Sequence, residues 1–462
     1  MHEPEKSRRD FLKLMAATAA AAQFPGWLSM GDARAADMNS EDRVFITNED
    51  SNTISVIDPK SNTVETTINL TSFDEDSRPP FRFVTGDVTP THASMIHKPL
   101  YHGCIDAHGL VPSPDGLLLA VSGRGSSNIY LIDTMRKKVV GNVPNPFASP
   151  TTNTERISNG VLVGREPHEP TFTRNGKELW VAIRGEDRIA ILDVALAVRQ
   201  AAGHAVKAIR GYIDTINGPA RIWFNSNGTL AFVASQKTSR LDIFKVNQNK
   251  SGYSNPKRLV TLDISKQDKA GFTPFLKTSP DGKEIWLSHK LADAVSSRST
   301  EEPFELLDNI PFGNLARPNH LEFVENKNGK VVYITLARVD EGGRYGAASS
   351  KIYIVDRSMP GGQRSIVGNF FSQGREAHGL WTDPENKLLY VSHEQDELPG
   401  TPSGGQTVAS AFDVSNPFKP KFISQIPLGS LKLPSGELRN KKSINLVYVR
   451  PGFRGQTAYK ND

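Results

Sequence analysis

Short apolar runs separated by tight polar turns recur along this chain, and their period of alternation is that of strands. Asp106 to Asp133, DAHGLVPSPDGLLLAVSGRGSSNIYLID, holds one unit: an apolar strand led by His, a Pro-Asp-Gly turn, a second apolar strand, a polar loop and a third strand ending in Asp. Five more units align on the turn Gly or Asn. They begin PHEPTFTRNG (167–176), PARIWFNSNG (219–228), TPFLKTSPDG (273–282), NHLEFVENKNG (319–329, one residue longer) and AHGLWTDPEN (377–386). A β-rich run follows each turn: LLLAVS, ELWVAI, TLAFVA, EIWLSH, VVYITL and LLYVSH. Four third strands close on Asp, at Asp133, Asp193, Asp356 and Asp413, whereas Lys245 takes that place after TLAFVA and AVSSRS stands after EIWLSH. The units start 46 (273 to 319) to 60 (107 to 167) residues apart, the length of a four-stranded blade. Strand-only repeats of that period predict an all-β propeller rather than a solenoid.

The chain ends supply a seventh blade. RVFITNEDSNTISVIDPKSNTVETTINL (Arg43 to Leu70) starts at what is the second strand elsewhere, and SINLVYVRPG (Ser443 to Gly452) matches an innermost strand and its turn. A seven-bladed β-propeller whose C-terminal strand completes the first blade satisfies both, and it removes an open sheet edge. VFITNEDSNTISVIDPKSNTVETTI resembles the YVTN-type propeller repeat, strongly in blade one and more loosely through the mature chain. The resemblance implies the seven-bladed fold shared by YVTN-repeat proteins, the haem d1 domain of cytochrome cd1 nitrite reductase and the copper-bearing propeller of nitrous oxide reductase. These relatives differ in function, so it selects no reaction.

Residues 1–36 read as an address and 37–462 as one propeller domain. SRRDFLK at Ser7 to Lys13 fits a twin-arginine export signal, followed by an Ala-rich, weakly apolar stretch and a small-x-small cleavage site at Ala33-Arg34-Ala35. Pro25 and Gly26 interrupt that stretch, so no stable membrane anchor is expected. The expected location is the periplasm, with the twin-arginine export machinery as a transient partner. Cys104 is the one cysteine, which excludes an intramolecular disulfide, a CxxC zinc site and a c-type haem attachment. A net charge of +5, without any Lys/Arg block, gives no case for nucleic acid.

In a propeller the start of each first strand, the end of each second strand and the loops between blades share one face. The long connections (71–105, 146–165, 339–350, 394–406 and 429–441) fall there, marking it as the binding face. His108, His168, His320 and His378 hold one repeat position, in blades two, three, six and seven, with Ile444, Ala220 and Pro274 in the others. His102, Cys104 and Asp106 precede His108, and His393 ends the second strand of blade seven. Imidazoles converging from several blades suit a metal, copper above all. On this reading His102, His108, His168, His320, His378 and His393 are candidate ligands, supported by Asp106, Glu169 and Glu376. Second-strand ends add Arg124, Arg184, Lys237, Lys290 and Arg338, a ring of charge that suits an anionic substrate. His92 and His97, in the first long connection, are weaker candidates.

Three functions fit these features. One is a copper-dependent redox enzyme acting on a small anion, served by a periplasmic electron-transfer protein. Another is a haem d1-type binding or assembly protein with one axial histidine. The last is a non-catalytic propeller that binds a protein or envelope partner, in which the histidines hold blades together and no metal is bound. Neither GxSxG nor HExxH nor a Walker motif occurs. A metal-dependent lactonase-like propeller also fits, although such sites rely on Glu, Asn and Asp where this face is rich in His.

Overall fold

The computed structural model describes residues 41–70, 105–141, 143–144, 156–266, 272–340, 348–395, 406–432 and 438–454. The export-signal region, His92, His97, His102 and Cys104 lie outside them. Seven antiparallel sheets, each with four strands in sequence from inside to outside, stand round one axis. Blade two departs slightly, because Lys138–Val139 and Val161–Leu162 both pair with the third strand, Asn128–Asp133. The short helix Val194–Ala201 leaves blade three, its first turn capped by Asp193, whose carboxylate accepts from the Leu196 amide.

Burial falls from the axis outward, and the sequence pattern follows it. Inner strands such as Ala107–Pro112 and Pro167–Phe172 are buried at every position, while the outermost strand of blade three, Ile209–Asp214, alternates half-buried and exposed residues. Two-sided burial produces the continuous apolar runs, and one-sided burial the alternation. Large aromatics fill the wedges between blades. Trp180 of blade three meets Phe224 of blade four edge-on, centroids 5.2 Å apart.

Ring closure takes the expected form. Ser443–Val449 pairs with Arg43–Asn48, with Val44 opposite Tyr448 and Ile46 opposite Leu446. The Tyr448 hydroxyl donates to Asp42 at 2.7 Å, and Arg450 grips Asp42 on blade one and Glu385 on blade seven. Among the described residues no helix is long and apolar enough to cross a membrane.

Six of the seven inner strands enter the axis through the same irregularity. Ala107 pairs with Gly123, yet Leu110 pairs with Val121, so two residues of the inner strand oppose one of its partner. The same slip occurs at Pro167/Pro170, Pro318/Leu321 and Ala377/Leu380. Such a bulge re-aims a side chain, here toward the channel. A left-handed residue precedes it in six blades: Asp106, Glu166, Gly218, Arg317, Glu376 and Lys442, with φ between 51° and 68°.

A hydroxyl clamps the bulge to the next blade. Thr47, Ser122, Ser288, Thr335 and Ser392, all on second strands, donate to the carbonyls of His108, His168, Asn319, His378 and Ile444 at 2.6–2.7 Å. Four of these oxygens also accept the amide that the bulge frees in their own blade, from Gly109, His320, Gly379 and Asn445 at 2.8–3.2 Å. Ala182 and Ala234 hold the clamp position in the two remaining blades, and those junctions lead to Ala220 and Pro274.

Candidate functional site: an imidazole cup at the channel mouth

The bulged residues, with Pro274 in blade five, form a ring: Ile444, His108, His168, Ala220, Pro274, Asn319 and His378. Blade six corrects the sequence alignment. Its slip from Pro318 to Leu321 matches that from Ala107 to Leu110, so Asn319 takes the place of His108, and His320 falls one step along. In this register blade six is two residues longer than blade two, and both extra residues fall between Leu321 and the turn at Gly329. His320 reaches the cup nonetheless, stacked on Phe275 with centroids 4.1 Å apart and lying 4.7 Å from His378. His108 lies 4.4 Å from His168 and 6.4 Å from His378, centroid to centroid. All four imidazoles are buried.

Each ring histidine is oriented through Nδ1. That atom lies 2.9 Å from Glu49 Oε1 in His108, 2.9 Å from the Ala220 carbonyl in His168 and 3.1 Å from the Ile444 carbonyl in His378. Acceptors of that kind fix the Nδ1–H tautomer and leave Nε2 as a lone pair; in His168 the Gln236 amide faces Nε2 at 3.1 Å. Burial, the largest cause, depresses these imidazoles, His108 to about 4 and His378 to about 3, with His168 and His320 well below the usual value. They are neutral at pH 7, the form in which imidazole ligates.

A second ring, one residue beyond the end of the second strand in six blades and at Ala337 within the longer second strand of blade six, makes the lip. Its register is set by amide bonds back to the residue before the bulge, as from Arg124 to the Asp106 carbonyl, and it runs Glu49, Arg124, Arg184, Gln236, Lys290, Ala337, Glu394. Two sequence candidates stand outside it. Lys237 and Arg338 lie one position past Gln236 and Ala337. Lys237 folds its stem against Gly218, and Arg338 pairs with Asp340 at 3.2 Å and donates to the Asn314 carbonyl. Glu49, Glu394, Gln236 and Lys442, which the sequence reading passed over, line the cavity instead. Their signal was positional: each shares a repeat position with Arg124 or Asp106, and only attention to charge hid it.

His393 is not a cup residue. Fully buried at the end of its strand, it offers Nδ1 to the Val408 carbonyl and Nε2 to Ser372, both at 3.1–3.2 Å, and so ties blade seven to blade six. His289, equally buried at the end of its strand, is held within blade five between Thr273 and Ser296. Asp106 salt-bridges Arg124 at 3.1 Å. Glu169 lies a layer below, held by Arg221 and by the Asn445 amide, although one of its oxygens, with His108 and His168, forms a set of three donor atoms within 4.8 Å. Glu376 stands behind Glu394, its carboxyl raised by burial and by that neighbour.

The cup holds about 210 Å³. Beneath it the channel is filled by Arg221 with Glu169, and by Lys277, which donates to both oxygens of Glu322 at 2.7–2.8 Å and sits 4.1 Å from the Trp381 ring. The cavity is therefore blind at its axial end. Arg124 and Lys442 both pair with Glu49, Lys442 also reaches Glu394, and Arg184 pairs with Glu166. Burial opposes ionisation of Glu394, yet Lys442 and the neighbouring cations hold it down at about 2.

The chain is a seven-bladed β-propeller. Residues 162–342, blades three to six, match the lactonase, seven-bladed β-propeller family. No curated protein matches the chain. A putative 6-phosphogluconolactonase from Bacteroides uniformis superposes with a TM-score of 0.55 at 14% identity, over 88% of this chain and 100% of that one. The periplasmic gluconolactonase of Pseudomonas aeruginosa gives 0.51 at 12%, over 88% and 99%. Hydrazine synthase from Kuenenia stuttgartiensis gives 0.50 at 14%, over 74% and 95%. At these identities the likeness is one of fold.

Proposed function

We propose that the cup binds a first-row transition metal ion, copper first, and presents it to a small anionic substrate at the periplasmic face of an exported protein. One observation carries the reading. Three imidazoles from three blades are each anchored through Nδ1 on an oxygen acceptor, the arrangement that aims Nε2 at a metal. With metal–nitrogen bonds of about 2.0–2.1 Å, two imidazoles on one ion have centroids roughly 4.5–6.5 Å apart, close to the spacing of His108 from His168 and from His378. His108, His168 and His378 would hold the ion, with His320 within reach. The ion would supply electron acceptance or Lewis acidity, while Arg184 and Lys290 attract the anion. A cup of about 210 Å³ suits an ion with a small ligand better than haem d1.

The partial family match favours a second use of the same cup, hydrolysis of a sugar lactone. In that reaction water attacks the ring carbonyl with Glu394 or Glu49 as base, and a lip cation meets the oxyanion.

Metal analysis and an absorption spectrum of the exported protein, beside a variant carrying His168→Ala and His378→Ala, test the first reading. Near-stoichiometric copper that disappears in the variant supports it; a folded protein that takes up no metal from a copper-loaded buffer overturns it. Turnover of glucono-δ-lactone by metal-free protein selects the second.

A further inference from the structure

We propose that blade five is the wall that receives the organic part of the substrate, with Lys290 taking its carboxylate, so that the ligand class is a small monocarboxylate with an apolar body. The inference rests on the cup being the functional site. Among the cations that line it, Arg124, Arg184 and Lys442 are each engaged by carboxylates of the protein, whereas the Lys290 ammonium has no hydrogen-bond or ion-pair partner among the described residues. A half-buried ammonium in a blind cavity that no carboxylate touches directly, with Glu394 and Glu376 acting on it only across a gap, leaves room for an external carboxylate to make the direct contact.

The surroundings of Lys290 are apolar where the rest of the lip is charged. Phe272 and Pro274 of the same blade line the cup beside it. On the adjoining loops Leu291 is 72% and Leu315 63% exposed, the highest values among the large apolar side chains of the described residues. Asp293 joins their two loops, accepting the amides of Leu315 and Arg317 at 2.7–2.9 Å. One sector thus presents a cation without a direct partner on the lip, with Phe272 and Pro274 beside it and exposed apolar side chains on the adjoining loops, the complement of a carboxylate on a short aliphatic or aromatic body. The volume, below the roughly 300–1,000 Å³ of drug-sized pockets, limits the ligand to a small acid.

The test is calorimetric titration of the full chain, as isolated and after chelation, with benzoate, hexanoate, acetate and inorganic phosphate. Benzoate and hexanoate should bind at least tenfold more tightly than acetate or phosphate. Lys290→Met should weaken benzoate about 10–100-fold, the worth of one charge-assisted hydrogen bond, and Lys290→Arg should restore most of it. Changing Leu291 and Leu315 to Ser, both on exposed loops, should erase the preference over acetate while leaving acetate binding unchanged. Phosphate or acetate binding as tightly as benzoate, or Lys290→Met matching the parent, overturns the proposal. Failure of the metal reading shows separately, as protein without metal that still binds benzoate.

Discussion

Nδ1 of His108 and Oε1 of Glu49 meet at 2.9 Å across the junction between blades one and two, with both side chains buried. The carboxylate does two jobs at once, orienting the imidazole and neutralising Arg124 and Lys442. Glu49→Gln keeps the shape and removes the charge. Metal affinity of the folded protein should fall about 10–100-fold, the usual effect of losing such a partner. Stability should drop as well, by about 1–3 kcal/mol, because buried Arg124 is left with Asp106 and half-buried Lys442 with Glu394. Competition with a chromophoric chelator and a urea melt measure the two effects; an unchanged affinity would show that His108 is not a ligand.

Ring histidines and strand-end histidines should separate cleanly. His378→Ala is expected to cost metal with little change in melting temperature, since a single carbonyl holds its ring. His393→Ala should do the reverse. It removes the bond to Val408 within blade seven and the link to Ser372 of blade six, at about 1–3 kcal/mol, and leaves metal content intact. Loss of metal in the His393 variant would place that residue back in the site.

Acid should unfold the metal-free protein early. Burial depresses His108 and His393 to about 4, and His289 and His378 to about 3, while an unfolded chain protonates near 6.5. Below pH 6.5 the unfolded state binds the extra protons. Stability is therefore complete above that pH and falls down to the folded values, by up to about 1.4 kcal/mol per pH unit for each group. Thermal melts of chelated protein at pH 7.5, 6 and 5 should decline by roughly 10 °C or more over the series. A flat profile would mean that these imidazoles are protonated within the fold.

How much of this was legible beforehand depends on periodicity. Turn residues, strand runs and a split first blade revealed the fold down to its closure, because blades repeat the same burial pattern. The ring histidines were legible for the same reason. Failure came where one residue of register matters. His320 and Asn319, Lys237 and Gln236, and Arg338 and Ala337 are neighbours in sequence, but bulges and strand ends decide which of each pair faces the axis. Pairings such as Glu49 with His108, 59 positions apart, carry no sequence signal at all.

The clamp hydroxyls link fold to site, and their distribution makes a prediction. Ser or Thr clamps every junction that leads to a His or Asn of the ring, and Ala182 and Ala234 stand where the ring residue is Ala220 or Pro274. Ser122 donates to the His168 carbonyl at 2.6 Å and accepts the Gly109 amide at 2.8 Å, so it fixes two neighbouring bulges. Ser122→Ala leaves a carbonyl and an amide buried without partners, a loss of about 1–3 kcal/mol for each. If the clamp only joined blades, that loss would be the whole effect. If it also aims His108 and His168, metal affinity in the folded protein should fall at least tenfold, and Ser122→Thr should restore it. The comparison variant is Ala234→Ser, which adds a clamp leading to Pro274, a residue that orients no imidazole, and should leave metal affinity where it was.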